Sequence, residues 1–67
     1  MAFELGAEVR ALREARGWSQ TELARLAGMT QSAMARFEAG GTVQTLQVLE
    51  RIAAAFQMKL SVELTAA

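Results

Sequence analysis

The sequence predicts an all-α fold of four short helices, followed by a single C-terminal β-strand. Three observations lead to this fold class. Apolar residues recur at helical spacing as far as residue 56, glycines and hydroxyl residues interrupt that pattern, and the period changes to two after residue 57. A chain of 67 residues is long enough for one small domain, whose thin core is often supplemented by association.

The first helix is predicted over residues 4–16. Its buried face comprises Leu5, Val9 and Leu12. Gly17 can end the helix with a left-handed cap. Trp18 follows this cap and is expected to fold back onto the core as a packing residue.

Ser19 begins the second helix. With Glu22 three residues later it forms a Ser-x-x-Glu capping box, which would satisfy two exposed backbone donors. The buried stripe of this helix is predicted to be Leu23, Ala24, Leu26 and Ala27. Gly28 ends the helix, because glycine tolerates the left-handed backbone that a sharp turn needs.

Thr30 is placed to cap a third helix that runs to about Ala39, where two glycines end it. Its residues Met34 and Phe37 are expected to point inward against the second helix, which leaves the leading end of the third helix facing outward. Ala24 would lie where the two helices come closest, and a larger side chain there would push them apart.

Thr42 is predicted to cap a fourth helix. The apolar face of that helix is formed by Val43, Leu46, Leu49, Ile52, Ala53 and Phe56. The remaining charged residues are interpreted as local pairs: Arg10, Arg13 and Arg16 as surface ions near Glu8 and Glu14, and Glu38 as a partner or cap nearby.

After Gln57 the apolar residues alternate with polar ones, which is the period of a strand. The apolar positions are Met58, Leu60, Val62 and Leu64. A lone strand leaves its backbone groups unpaired, so we expect it to pair with the same strand of a second copy, antiparallel about a two-fold axis. The alternative is a strand that folds back on its own helices.

Composition argues against several classes of function. Seven Lys and Arg residues balance seven Glu residues, so the chain lacks the net positive charge of a polycationic nucleic-acid binder. Without Cys, His, Asp or Tyr, neither a thiolate or imidazole metal site nor the usual general base is available. We therefore expect no cofactor, no metal and no enzymatic activity. The absence of a signal-peptide pattern or a long apolar run predicts a soluble, cytoplasmic protein without a membrane partner.

Two stretches make residues 5–56 resemble the XRE family of helix-turn-helix regulators, which includes phage repressors and Cro-like proteins. They read "LREARGWSQTELARLAGMTQSAMARFEAG" and "TLQVLERIAAAF". The matching positions are Gln20, Ala24, Gly28, Met34 and Phe37. The resemblance implies a Cro/repressor-like helix-turn-helix bundle that binds double-stranded DNA in a sequence-specific way. A subset of the family, resembling HipB- and HigA-type antitoxins, carries a similar C-terminal strand.

The resemblance implies DNA contacts at the leading ends of the second and third helices and in the loop that follows. The residues are Gln20, Thr30, Gln31, Ser32, Ala35, Arg36, Gly40, Gly41 and Thr42. Gln31 can pair bidentately with adenine, and Arg36 can reach guanine or a phosphate. Because Ala33 and Ala35 leave the third helix sparse and the loop lacks basic residues, DNA shape could carry part of the selectivity.

The leading hypothesis is a repressor that binds a near-palindromic operator as a homodimer, with its third helices roughly 34 Å apart in the major groove. Residues 1–57 would then be the DNA-binding domain, with the helix-turn-helix at 19–39, and 58–67 the dimerisation strand. One alternative is an antitoxin of a type II toxin–antitoxin pair, which would also bind a toxin and repress its own operon. The other is a protein-interaction module that has the fold but little affinity for DNA, which the neutral charge favours.

Overall fold

The computed structural model describes residues 2–42 and 44–61. Four helices follow one another along the chain: α1 (Ala2–Ala15), α2 (Gln20–Ala27), α3 (Gln31–Glu38) and α4 (Leu46–Ala55). They confirm the predicted four-helix, all-α bundle. Within the described ranges, no helix has both the length and the apolar character needed to cross a membrane.

The C-terminal strand remains an expectation. Residues 58–61 follow α4 without regular secondary structure, and Val62 and Leu64 lie outside the described residues. Met58 is half exposed, at 50% of its surface, and Leu60 is partly buried. The apolar residues at the start of the predicted strand are therefore accessible at one position and packed at the other.

Hydroxyl caps begin three of the helices. The hydroxyl of Ser19 accepts a hydrogen bond from the amide of Glu22 at 3.0 Å, and that of Thr30 accepts from the third residue after it at 3.1 Å. Both predicted caps are confirmed. The carboxylate of Glu22 pairs instead with Arg25 one turn later, so only the serine half of the predicted capping box is formed.

The cap of α4 is Thr45, whose hydroxyl accepts from the amide of Val48 at 3.2 Å. The prediction of Thr42 as this cap was wrong. Thr42 instead accepts a hydrogen bond from the side-chain amide of Gln44 at 3.3 Å. Both threonines can cap a helix, but only Thr45 directly precedes the turn from which the core-facing residues of α4 follow.

The core lies where α2 packs against both α3 and α4, and where α1 packs against α3. Its buried members are Val9, Leu23, Ala24, Ala27, Met34, Phe37, Ile52 and Phe56. Two residues predicted to be buried are not: Leu26 is 43% exposed and Leu46 is 59% exposed. At 3.6 residues per turn, Leu26 lies about 60° beyond the buried sector of α2, and Leu46 lies in the first turn of α4. The predicted Val43 falls outside the described residues.

Trp18 packs onto the core, as predicted. Its ring stacks on Phe56 with centroids 5.2 Å apart and planes 17° apart. The guanidinium of Arg16 lies 5.4 Å from the centroid of Trp18 and donates a hydrogen bond to the carbonyl of Phe56 at 3.1 Å. The end of α1 is thereby fastened to the end of α4.

Gly6 marks a close approach of helices that sequence reasoning missed. It is buried in α1, and a Cβ placed on it would lie 2.2 Å from the carbonyl oxygen of Phe37 in α3. The two backbones can meet at this distance because glycine has no side chain. A glycine within a strongly helical pattern was the available signal, since its low helix propensity calls for a packing reason.

Candidate nucleic-acid interface

A left-handed glycine separates α2 from α3. Gly28 has φ of 68°, and the amide of Met29 donates to the carbonyl of Ala24 at 2.8 Å. Hydrogen bonds of this kind, from amides beyond the helix to carbonyls of its last turn, end the helix. Thr30 then starts α3 directly, so the chain breaks and restarts the helix as the sequence predicted.

The buried side of α3 determines which side faces outward. Met34 and Phe37 are almost completely buried against the other helices. Thr30, Gln31, Ser32 and Arg36 are exposed, and Ala35 is partly buried. The leading end of α3 therefore projects from the bundle with its polar side chains accessible.

Gln20 and Gln31 join the leading ends of α2 and α3. The side-chain amide of Gln31 donates to the side-chain oxygen of Gln20 at 2.9 Å. Gln20 is partly buried, whereas Gln31 is exposed. Two residues that are 11 positions apart in sequence thus form one polar surface at the start of α3.

A buried ion pair lies behind this surface. Arg13 donates from Nε and Nη2 to the two carboxylate oxygens of Glu38, at 2.9 and 3.0 Å, and from Nη1 to the carbonyl of Trp18 at 2.7 Å. The side chains are only 11% and 2% exposed. The hydrogen bonds that Arg13 donates to the carboxylate of Glu38 raise the pKa of Arg13 above its ordinary value, against the opposing effect of burial. The pair is bidentate, the geometry in which a guanidinium binds a carboxylate most strongly.

The prediction that Arg13 is a surface ion was therefore wrong, although Arg10 does pair with Glu14, at 3.3 Å, as an exposed ion pair. Arg13 lies four residues after Val9, so helical spacing places it on the buried face of α1. That position was the signal in the sequence. Its partner Glu38 is 25 residues away, which is too distant for periodicity to reveal.

The loop after α3 ends the helix with its own backbone. Gly40 has φ of 83°, its amide donates to the carbonyl of Phe37 at 3.0 Å, and the amide of Gly41 donates to the carbonyl of Arg36 at 2.9 Å. Both glycine amides are thus engaged within the fold. Of the three loop residues in the predicted site, Thr42 retains a hydroxyl proton that can be donated.

Positive charge near α3 is limited. Arg36 forms no ion pair with any residue in ranges 2–42 and 44–61. Arg51 is directed elsewhere, because its Nε donates to the carbonyl of Ala27 at the end of α2, at 3.0 Å. Arg36 is therefore the cation on the exposed side of α3.

Comparison with known proteins agrees with this arrangement. A family model described as a helix-turn-helix domain matches residues 4–67. The chain is 38% identical over 55 residues to a protein of Pyrococcus horikoshii with the provisional name HTH-type transcriptional regulatory protein PH1808. That match covers 82% of this chain but 18% of the relative, so the matched segment spans less than a fifth of the length of that protein.

The fold is also similar to a chain in the solved structure of a HipA–HipB–O2–O3 complex. The TM-score is 0.78, and the alignment covers 98% of this chain and 93% of that one. Sequence identity is 24%, so this likeness is one of fold. Together with the family match, it confirms the helix-turn-helix family predicted from residues 5–56. The chain belongs to the helix-turn-helix domain family.

Proposed function

We propose that this domain binds double-stranded DNA in a sequence-specific way as a transcriptional regulator, with α3 in the major groove. The observation that carries the proposal is the exposed leading end of α3, which projects from the bundle after the turn at Gly28. A single protruding helix fits the major groove, which is about 12 Å wide. The similarity to a protein named as a transcriptional regulator supports the regulatory role.

The contacts follow from the side chains that α3 presents. Gln31 and Arg36 carry the groups that pair with adenine and with guanine or phosphate, respectively. Thr30 and Ser32 supply hydroxyls at the helix N-terminus, which itself attracts phosphate. Ala35 is small and apolar, and is suited to contact with a thymine methyl group.

The flanking residues position the helix on the sugar–phosphate backbone. Gln20 uses one N–H of its amide within the protein and retains a second for a phosphate. The glycine amides of the loop are engaged, so Gly40 and Gly41 allow close approach while Thr42 donates the hydrogen bond. Few charged contacts result, and sequence-dependent DNA shape complements them.

Two copies of the chain form the functional repressor in this proposal. The segment 58–64 pairs with its equivalent in the second copy, and the half-exposed Met58 supplies apolar surface for that contact. A two-fold dimer would place two α3 helices about one turn of DNA, roughly 34 Å, apart on a near-palindromic operator.

The second candidate is an antitoxin that binds a toxin in addition to DNA and represses its own operon. The observation that favours it is the similarity in fold to a chain from a structure containing both HipA and HipB. A gene for a toxin beside the gene for this chain, and a stable complex of the two purified products, would support it.

Selection of bound sequences from a random DNA pool, followed by salt titration of the selected site, tests the main proposal. We expect two inverted half-sites, and an affinity whose logarithm falls with the logarithm of salt concentration by about 0.9 for each phosphate contacted. If no salt-sensitive complex forms with any sequence, the chain is instead a protein-interaction module built on the same fold.

A further inference from the structure

A chain of hydrogen bonds connects the buried ion pair to the leading end of α3. Oε1 of Glu38 accepts from Nη2 of Arg13 at 3.0 Å and from Nε2 of Gln20 at 3.1 Å. Oε1 of Gln20 accepts in turn from Nε2 of Gln31 at 2.9 Å. One side of this chain is almost completely buried, and the other ends at an exposed amide.

The carboxylate determines the direction of every bond in the chain. Both carboxylate oxygens of Glu38 accept hydrogen bonds from the guanidinium of Arg13, which can only donate, so Glu38 acts as an acceptor toward its neighbours. Gln20 must therefore turn its NH₂ group inward. If its amide were reversed, two oxygens would face each other across the 3.1 Å that now joins a donor to an acceptor.

The direction is passed on to the surface. With the NH₂ of Gln20 turned inward, its oxygen faces Gln31 and binds one N–H of that residue. Gln31 then has both lone pairs of its own oxygen and one remaining N–H available. Without this bond, the side-chain amide of Gln31 could flip and exchange the positions of its oxygen and its NH₂ group. The bond to Gln20 gives the amide a single orientation.

We propose, on the basis of the proposed DNA-binding function, that Glu38 is a positioning residue for base selection. Acting through Gln20, it fixes the amide of Gln31 with the oxygen available to accept from a base. The major-groove edges of adenine and cytosine present an amino donor, whereas those of guanine and thymine present a carbonyl acceptor. Gln31 consequently favours an amino base where its oxygen meets the groove, although Glu38 itself touches no DNA.

The free protein provides the first test. Scalar couplings through hydrogen bonds, measured by NMR on the isotope-labelled full chain, should join the Nε2 of Gln31 to the side-chain carbonyl carbon of Gln20. A second coupling should join the Nε2 of Gln20 to the carboxyl carbon of Glu38. Couplings that run from Gln20 to Gln31 in the opposite sense would overturn the proposal whether or not the protein binds DNA.

Base preference provides the second test. The position read by Gln31 is the one whose preference disappears in Gln31→Ala. There we expect the ratio of affinities for adenine and guanine to fall about tenfold or more in Glu38→Gln, because the new amide can offer either a donor or an acceptor to Gln20. Gln20→Met should have the same effect on the ratio while leaving the ion pair intact, which covers the case in which Glu38→Gln does not fold.

Val9→Ala is the matched control, because it weakens the core without altering any residue that takes part in the hydrogen bonds from Glu38 to Gln31. It should lower the melting temperature and leave the base preference unchanged. An unchanged ratio in folded Glu38→Gln and Gln20→Met would refute the positioning role alone. A wild-type protein that binds no DNA would instead refute the proposed function, and the NMR couplings would still decide the direction of the amides.

Discussion

Gly6 of α1 and Phe37 of α3 meet through their backbones, so closely that a methyl group on Gly6 would lie 2.2 Å from the carbonyl oxygen of Phe37. This contact fixes the distance between α1, which carries Arg13, and α3, whose exposed residues are proposed to contact DNA. Substitution of Gly6 by alanine would have two opposing effects at this contact. The methyl group would clash with the backbone of α3, whereas alanine favours the helical conformation by about 1 kcal/mol over glycine.

We expect Gly6→Ala to destabilise the domain by about 1–3 kcal/mol, because the backbone oxygen it meets cannot move without separating α1 from α3. Urea denaturation followed by circular dichroism measures the change. Gly17→Ala is the control: it has φ of 71° with nothing within 4 Å, so strain alone should cost about 1–2 kcal/mol. A more stable Gly6→Ala would mean that helix propensity outweighs the contact.

The effect of substituting Gly28 on stability should depend on the backbone conformation and not on the size of the new side chain. A Cβ at this position meets nothing closer than 3.8 Å, but φ is 68°. Gly28→Ala is therefore expected to cost about 1–2 kcal/mol, and Gly28→Asn less, because Asn tolerates the left-handed region better. Thermal melts of the two variants compare them. Equal losses would point to an effect other than backbone strain at this turn.

Removing Arg13 should be far more damaging than removing another arginine of the same helix. Arg13→Met leaves the buried carboxylate of Glu38 without its cation, at a cost of about 3–5 kcal/mol, enough to unfold a domain of this size. Arg10→Met removes an exposed pair and should change stability by less than about 1 kcal/mol. Far-UV circular dichroism at equal concentration shows the difference, and similar melting temperatures would contradict it.

The contribution of Arg13 to the free energy of unfolding should not change with pH near neutrality. A raised pKa means that the stabilisation from protonated Arg13 is complete below the ordinary pKa of arginine, and is lost only as pH rises through the raised value. Between pH 6 and pH 9, roughly, this group should contribute no change in stability.

Arg36 should account for one phosphate or base contact. Arg36→Ala is expected to weaken binding to the selected DNA and, if it contacts phosphate, to reduce the salt slope by about 1. Arg10→Ala removes the same charge from the pair with Glu14 on α1 and should leave the slope unchanged. Fluorescence anisotropy at several salt concentrations measures both. A slope that falls equally in the two variants would indicate a general effect of charge.

The C-terminal segment should control association. A chain that ends at Gln57 retains α1 to α4 but lacks the predicted strand. We therefore expect the truncated chain to be monomeric and the whole chain to be dimeric. Light scattering at matched concentrations gives the molar masses. Circular dichroism must show the helices intact, and a truncated chain that remains fully dimeric would exclude the strand as the interface.

Local chemistry allowed much of the fold to be predicted. The caps at Ser19 and Thr30, the turn at Gly28 and the inward Phe37 each follow from residues within one or two turns of each other. The stop at Gly40 follows from glycine's tolerance of positive φ.

Contacts between distant segments were missed. Periodicity places Arg13 and Glu38 on helix faces but does not show that those faces meet, and it gives no reason for Gly6. Of the proposed site, the outward direction of Gln31 was predictable, while its hydrogen bond to Gln20 depends on the angle between two helices.

Trp18 is the single tryptophan of the chain, and its surroundings make it an intrinsic spectroscopic reporter. Its indole stacks on Phe56, and its backbone carbonyl accepts a hydrogen bond from the guanidinium of Arg13. The fluorescence emission of Trp18 should therefore change when α4 no longer packs against Trp18 or when the buried ion pair between Arg13 and Glu38 is broken. Folding of the whole domain can be followed in the unlabelled, natural chain with light alone.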